Sequence, residues 1–368
     1  MDAPEKIPVK KPSRLVRLIR LGVLLGTLAY TVTLVGLLWS LEHCREDQWY
    51  FSPLLYLPPF GWLLPLALLV PAAVIFRPAM LLFHAGCALF VLLWFMHFYA
   101  PEEPQGLPEK IFTVLSANLG QRKFATLQNF LDASDADVMV FQESLVREKP
   151  FALNNPNYRV VHAGEFSCAS RSGVTRSAVV PDLNFDGRPI AAWFELKYQG
   201  KPIVIYSVHM PTPRAYLQDL RGGGFIEEAN RGGGIFSADV RAEYQYYWTN
   251  RFALMRGLLQ VLTNDARPKI ICGDFNTPDH GQLYALIAHE FVDSYATAGQ
   301  GYGQTFPGDA RTPIAGYRPW LRLDYQFCDD HWRPAACTVE PLKRAQHLGL
   351  VASYEFFESD KDEPTEKK

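Results

Sequence analysis

The sequence predicts an α/β domain carried behind an apolar N-terminal region, and three observations predict it. Three runs within the first hundred residues contain no Asp, Glu, Lys or Arg. Residues 110–144 read as strand, helix, strand, the start of a βαβ-type arrangement. Beyond them, apolar and β-branched runs repeatedly stop at a polar residue capable of chemistry. The plainest is Lys269-Ile270-Ile271-Cys272-Gly273-Asp274-Phe275-Asn276-Thr277-Pro278. Its apolar residues suit a buried strand bounded by turn residues. Asp274 and Asn276, two positions apart, point to the same side of the strand end. Gly273 leaves room for a close approach to the backbone.

The N-terminal region is read as membrane-spanning. Lys6, Lys10, Lys11, Arg14, Arg17 and Arg20 make residues 1–20 a basic segment, and Leu21 to Leu41 follows without a charge. A span needs about 20 apolar residues. The run exceeds a signal-peptide core and lacks a small-x-small cleavage site near Leu41, so a retained anchor is expected. Two further runs, 53–76 and 79–100, are separated by Arg77-Pro78. The expected membrane region is therefore 21–100, with spans at about 21–41, 53–76 and 79–100. Trp49, Tyr50, Trp94 and Tyr99 stand near span ends, where aromatic belts lie. The positive-inside rule puts the N-terminus in the cytoplasm and everything after Ala100 outside it, periplasmic or extracellular. His84 and His97, within apolar runs, are expected to be packed or interfacial. Residues 101–108, rich in Pro, Glu and Gly, read as a linker.

The head is expected over 109–357. Lys110 to Leu115 is strand-like and delivers Asn118; helical spacing covers Phe124 to Leu131; Asp137 to Phe141 is a buried strand ending at Glu143. Tyr158–Val161 and Phe166–Ser170 suggest a short pair. Pro189–Leu196 and Ile203–His209 follow, the second strongly β-branched and ending in His209. Arg251 to Leu262 is amphipathic and leads into the Asp274 strand. Arg322–Cys328 carries Asp324 among apolar neighbours, and Ala335–Val339 is expected to pair with it as a hairpin. That hairpin would bring Cys328 and Cys337 together, as a disulfide or as two free thiols. Ala345-Gln346-His347 precedes a last strand, and the charged residues 358–368 are expected to be disordered. Ligands of open α/β sheets gather at strand carboxyl ends. Asn118, Glu143, His209, Asp274 and Asn276 fall there, and Asp324 and His347 are placed with them.

Composition excludes several classes. The 368 residues carry a formal net charge of −2. The first 108 hold 8 Lys+Arg and 7 Asp+Glu, which leaves the remainder at about −3 and no basic nucleic-acid platform. Six cysteines without a CxxC argue against a zinc site and against a dense disulfide scaffold.

Taken in order, Ser-Ala-Asn-Leu (116–119), Phe-Gln-Glu-Ser (141–144), Tyr-Ser-Val-His-Met (206–210), Gly-Asp-Phe-Asn (273–276), Arg-Leu-Asp-Tyr-Gln-Phe (322–327) and Gln-His (346–347) resemble the endonuclease/exonuclease/phosphatase family, the DNase I-like superfamily, over residues 110–357. A membrane anchor ahead of such a head is similar to some bacterial members. The resemblance implies a four-layer α/β sandwich, two mixed sheets face to face with helices outside. It also implies hydrolysis of phosphate esters with Mg²⁺ or Mn²⁺, whose preference for oxygen ligands suits Glu143 and Asn118 as the metal residues. By the same resemblance His209 contacts the scissile phosphate or protonates the leaving group. Asp274 and Asn276 position water and stabilise the transition state, and Asp324 orients His347. A carboxylate behind His209 is also expected, with no assignment. Where the family has Ser-Asp-His, this chain has Ala345-Gln346-His347, and Gln346 cannot serve as a charged ligand or base.

Between His209 and the Arg251 helix lies an imperfect repeat, Arg221-Gly-Gly-Gly-Phe225 and Arg231-Gly-Gly-Gly-Ile235-Phe236, in the loop 212–240. Arg221, Arg231, Arg171 and Gln346 are taken as candidate substrate contacts. Glycine amides and arginines suit phosphate, and Phe225, Ile235 and Phe236 suit lipid. The functional expectation is a membrane-anchored phosphodiesterase acting on a lipid headgroup or a nucleic acid, with no obligate protein partner. The alternatives are an extracytoplasmic nuclease, and a degenerate head that binds a phosphorylated ligand.

Overall fold

The computed structural model describes residues 12–44, 46, 48, 52–101, 110–120, 130–131, 134–146, 149–150, 155–213, 238–308, 318–340 and 345–357. It divides into two compact units, one of Met1–Ser40 with Pro59–His97, the other of Leu41–Pro58 with Phe98–Lys368.

The first unit is helical. Helix α1 spans Arg14–His43, α2 Leu66–Phe76 and α3 Leu81–Phe90, with short tighter turns at Pro59–Leu63 and Pro78–Met80 and a wider one at Val91–Phe95. Three helical segments, Arg14–His43, Pro59–Phe76 and Pro78–Phe95, are long and apolar enough to cross a membrane. The expected second span starts at 53, whereas this segment starts at Pro59 because Ser52–Tyr56 is a separate turn within the other unit. Within the unit, Thr27 Oγ1 lies 2.8 Å from His84 Nε2, and Tyr30 donates to the Trp62 carbonyl at 2.7 Å. Arg20 Nε donates to Phe76 O at 3.0 Å, and Arg77 reaches Arg20 O at 3.3 Å, so the two basic residues share one end of the unit.

The second unit holds two mixed six-stranded sheets. In chain order the strands are β1 Phe112–Asn118, β2 Val138–Gln142, β3 Leu145–Val146, β4 Lys149–Pro150, β5 Arg159–Ala163, β6 Phe166–Ser170, β7 Arg176–Val179, β8 Asn184–Phe185, β9 Arg188–Pro189, β10 Ala191–Tyr198, β11 Lys201–His209, β12 Lys269–Asp274, β13 Val292–Asp293, β14 Asp324–Cys328, β15 Trp332–Val339 and β16 Leu350–Phe356. One sheet runs β15-β16-β1-β2-β6-β5 and the other β13-β14-β12-β11-β10-β7; β3-β4 and β8-β9 are small ribbons. Each large sheet has one parallel pair near its middle, β1 with β2 and β11 with β12, and is otherwise antiparallel. Parallel neighbours require a long crossover. For β11 to β12 that crossover includes α4, Ala238–Asn264.

The sheets pack through alternate residues. Val114, Val140, Phe166, Ile203, Ile205, Ile270 and Tyr354 form one buried cluster. On the outer face of the second sheet, Phe252, Met255, Leu258 and Leu262 of α4 recur at helical spacing against Val204, Tyr206, Val208 and Ile271. Burying each such side chain contributes about 1.5–3 kcal/mol. Helix α5, Gln282–Glu290, adds Leu283 and Ile287, and α6, Ser294–Ala298, is capped by Asp293. On the outer face of the first sheet, Leu115 and Phe141 pack with Phe130 and Leu131. Two glutamines tie the sheets together across the core. Gln142 Nε2 donates to Ser207 Oγ at 2.8 Å, and Gln326 Nε2 donates to the carbonyls of Val114 and Leu350 at 3.2 and 3.1 Å.

The expected hairpin of Arg322–Cys328 with Ala335–Val339 does not form. Strand β14 pairs with β12 and β13, whereas β15 pairs with β16 in the other sheet. The chain changes sheets at Asp329–His331, where Asp329 accepts from Lys269 N and His331 N at 3.0 and 3.2 Å. Cys328 and Cys337 are buried free thiols, as Cys168 and Cys272 also are. Residues 124–129 of the expected helix, most of the linker and the tail 358–368 lie outside the described residues.

Candidate active site

Both parallel pairs deliver their carboxyl ends to one place. Asn118 ends β1, Glu143 follows the last residue of β2, His209 ends β11 and Asp274 ends β12. Asp324 opens β14 directly opposite Asp274 in the antiparallel register. His347 arrives from the turn before β16.

Asn118 is central. Its Nδ2 donates to Glu143 Oε1 and to Asp274 Oδ2, each at 3.1 Å, while its Oδ1 accepts from Gly120 N at 2.8 Å. Placed as a metal ligand by the resemblance, it acts in this geometry as the donor that joins two carboxylates from two sheets. Glu143 stands at φ 50°, a left-handed conformation uncommon for a residue with a Cβ. Its side chain is 43% exposed, the most open of the cluster. A Cβ at Gly120 would lie 2.2 Å from Glu143 Oε2, so a side chain there would displace the Glu143 carboxylate.

Two imidazoles face Asp274. His209 Nε2 lies 3.7 Å from Glu143 Oε1 and 4.0 Å from Asp274 Oδ2, and its Nδ1 is 2.7 Å from Glu165 Oε1. Glu165 is the carboxylate behind His209 for which the sequence offers no assignment. It sits in the turn between β5 and β6, next to Gly164 at φ 62°. Burial opposes protonation of His209, but the bond to Glu165 and the charges of Asp274, Glu165 and Glu143 raise its pKa above the ordinary value. His347 Nδ1 is 3.0 Å from Asp324 Oδ2 and 3.4 Å from Asp274 Oδ2, and its ring packs against Phe306 at 4.8 Å between centroids. Burial works against its charge as well, yet Asp274 and Asp324 outweigh it and hold the pKa up at about 9. Burial raises the Asp274 pKa, both imidazoles pull it down and Asp324 adds to the rise, which leaves it at about 6.

Asn276 stands at φ 49° and is fastened in place. Its N–H donates to Asp274 Oδ1 at 2.9 Å and its Nδ2 to Met210 O at 2.9 Å. Before it, Gly273 at φ 141° has no room for a side chain: a Cβ would lie 2.0 Å from Val208 O. Gln346 adjoins His347, and its carbonyl accepts from Gly308 N at 2.7 Å. Arg171 does not join this cluster. It stands beside the first residues of β2, the opposite end from Glu143, with its backbone on Asp137 O and its guanidinium paired with Asp135 over the Tyr158 ring. The reason is register: β6 runs antiparallel to β2, so the residue after Ser170 returns to the start of β2. Arg221 and Arg231 lie outside the described residues.

The donor set tests for a divalent cation. Asp274, Asp324 and His347 bring one ligand atom each within 4.8 Å of one another. Without a bound ion, the charges of Asp274 and Asp324 favour the protonated form of His347 between them. Glu143 is the open, anionic oxygen donor and suits a hard cation. Among the described residues, Glu143 is met by Asn118 and His209.

The sequence pattern of the Endonuclease/Exonuclease/phosphatase family matches residues 115–345. No curated protein matches the chain. Among solved structures, an endonuclease/exonuclease/phosphatase family protein from Leptotrichia buccalis C-1013-b is 17% identical with a TM-score of 0.45, covering 67% of this chain and 100% of its own. A mannosyl-6-phosphatase from Bacteroides thetaiotaomicron VPI-5482 is 15% identical with a TM-score of 0.45, covering 67% and 100%. The 3′ phosphatase NExo from Neisseria, bound to product DNA hairpin, is 16% identical with a TM-score of 0.45, covering 67% and 99%.

Proposed function

This chain belongs to the endonuclease/exonuclease/phosphatase family, and we propose that its head hydrolyses a phosphodiester with the help of Mg²⁺ or Mn²⁺ while its apolar helices anchor it in a membrane, head outside the cytoplasm. Family members are phosphoesterases, and this chain is read as one. The observation that carries the finer reading is the convergence on Asp274 of two imidazoles, each with its own carboxylate: His209 with Glu165 and His347 with Asp324.

The residues divide the work as follows. Asp274, held near the middle of the pH range by burial, accepts a proton from water. His347, kept protonated by Asp274 and Asp324, steadies the ionised form of Asp274. His209 directs Nε2 toward the space between Glu143 and Asp274, and there donates to a phosphate oxygen or to the departing alkoxide. Glu165 fixes the tautomer by accepting at Nδ1. Asn118 keeps the Glu143 and Asp274 carboxylates together despite their charges. Glu143 would hold a divalent cation, which would supply neutralisation of the negative charge that develops on phosphate.

A membrane-proximal phosphodiester, such as a lipid headgroup, is favoured over nucleic acid. The head carries a balance of about −3 and no excess of cations to meet a polyanion. The clustering of Arg20 and Arg77 at one end of the helical unit supports a cytoplasmic end there. Gln346 favours a second reading, in which the head binds a phosphorylated ligand without turning it over.

The test is turnover of bis-p-nitrophenyl phosphate, phospholipid and DNA by the full-length protein with Mg²⁺ or Mn²⁺, beside His347→Ala. Metal-dependent hydrolysis that His347→Ala abolishes is expected, with phospholipid preferred to DNA. No metal-dependent turnover on any of them sinks the enzymatic reading. Labelling of Lys197→Cys from the cytoplasmic side alone overturns the orientation.

A further inference from the structure

The loop that presents Asp274 is anchored from a distant part of the chain. Asn276 holds the left-handed conformation at the loop's apex, and such a residue persists where its surroundings over-determine it. Its N–H bonds Asp274 Oδ1, and the carbonyl of that same peptide, Phe275 O, lies 3.5 Å from Arg251 NH2, so the backbone conformation of Asn276, fixed on both sides, sets the rotation of the Asp274 carboxylate. The Asn276 carbonyl takes two donors: Tyr56 O–H at 2.8 Å and Arg251 NH2 at 2.6 Å. Arg251 is fully buried in α4, lies over the Trp248 ring at 5.2 Å, and donates through NH1 to the Tyr56 oxygen at 2.8 Å. Tyr56 thus donates to one partner and accepts from the other.

The segment that carries Tyr56 grips the far side of the same loop. Glu46, also buried, accepts at Oε2 from Leu283 N at 2.9 Å, in the first turn of α5, and its own N–H donates to Gln282 Oε1 at 3.2 Å. A Cβ at Gly281 would lie 2.7 Å from Glu46 Oε2. Residues 276 and 283 are therefore both held by Leu41–Pro58, which the structure groups with the head although it lies between the first two apolar helices in sequence.

Resting on the proposed function, we infer that Tyr56 and Arg251 are positioning residues: the segment joining the first two apolar helices seats the catalytic loop, and the head is incomplete without it. Removing the Tyr56 hydroxyl leaves Arg251 NH1 unpaired in a desolvated site and Asn276 O with one donor fewer. Small displacements of a catalytic carboxylate cost rate rather than binding.

The experiment uses the full-length chain. Tyr56→Phe is expected to lower kcat on bis-p-nitrophenyl phosphate about tenfold while KM stays within about twofold. Arg251→Lys is expected not to restore the wild-type rate, since an ammonium cannot reproduce the guanidinium fork that spans Tyr56 Oη and Asn276 O. Hydrogen exchange gives a readout independent of turnover: amides of residues 274–276 are expected to exchange about tenfold faster in Tyr56→Phe. The control is Tyr158→Phe, which removes a buried hydroxyl bonded to Ala136 O at the other end of β2 and is expected to leave 274–276 unchanged. Unchanged exchange in Tyr56→Phe overturns the inference, as does equal acceleration in Tyr158→Phe. Accelerated exchange confined to Tyr56→Phe supports the clamp even if the wild-type chain hydrolyses nothing, an outcome that counts against the proposed function alone.

Discussion

Glu165 Oε1 lies 2.7 Å from His209 Nδ1 and fixes which nitrogen of the imidazole faces Asp274. The two residues come from different sheets, Glu165 from the turn before β6 and His209 from the end of β11.

Replacing Glu165 by Gln removes the hydrogen-bonded anion that raises the His209 pKa. The alkaline limb of kcat/KM against pH is expected to move to lower pH, and kcat to fall about 10- to 100-fold, as for outer partners of a working histidine. A pH–rate profile that superimposes on the wild type removes His209 from the acid role.

His347 gives a stability signature with a definite sign. Its folded pKa of about 9 exceeds the ordinary 6.5, so its contribution is complete below pH 6.5 and is lost as pH rises through about 9. The metal-free chain is therefore expected to unfold at progressively lower temperature as pH rises across that window. In Asp324→Asn, which lacks the hydrogen-bonded carboxylate, the loss still begins near pH 6.5 but is expected to be smaller and to end at lower pH. Parallel melting curves for the two proteins contradict the pairing.

Gly120→Ala sets a methyl against Glu143. With the clash falling on the end of a half-exposed side chain, the carboxylate moves while the strands stay. Affinity for Mn²⁺, read by calorimetry, is expected to fall about tenfold with stability changed by less than about 1 kcal/mol. Unchanged affinity places the cation away from Glu143.

Gln346→Asp adds an anion beside His347. If the site is short of negative charge, less Mg²⁺ is expected to reach half-maximal rate in the variant, by about tenfold. A higher requirement shows that the glutamine is a specialisation of this chain.

Legibility followed the strand ends. Asn118, Glu143, His209 and Asp274 could be read as one cluster because apolar runs stop at them, and parallel strands bring such ends together. Glu165 gave no such signal: it lies in a short turn after Gly164 and meets His209 through the stacking of two sheets. The same stacking defeated the hairpin expectation. Cys328 and Cys337 are neighbours in sequence, but Asp329–His331 hands the chain from one sheet to the other. Arg171 failed by register, an arginine after a strand that returns to the wrong end of β2. The polar residues Gln142 and Gln326, out of place in buried strands, became intelligible as bonds between sheets.

The pairing of β1 with β16 bears on how this protein is made. The strand that opens the head, Phe112 to Ser116, takes its neighbour from Leu350 to Tyr354, so the first sheet joins residues more than two hundred positions apart. During synthesis β1 emerges more than two hundred residues ahead of β16, and that edge stays empty until Leu350–Tyr354 are made. His347 comes in the same late stretch. A ribosome that stalls after residue 345 leaves a chain whose head can neither close this sheet nor supply His347 to Asp274, so assembly and competence arrive together.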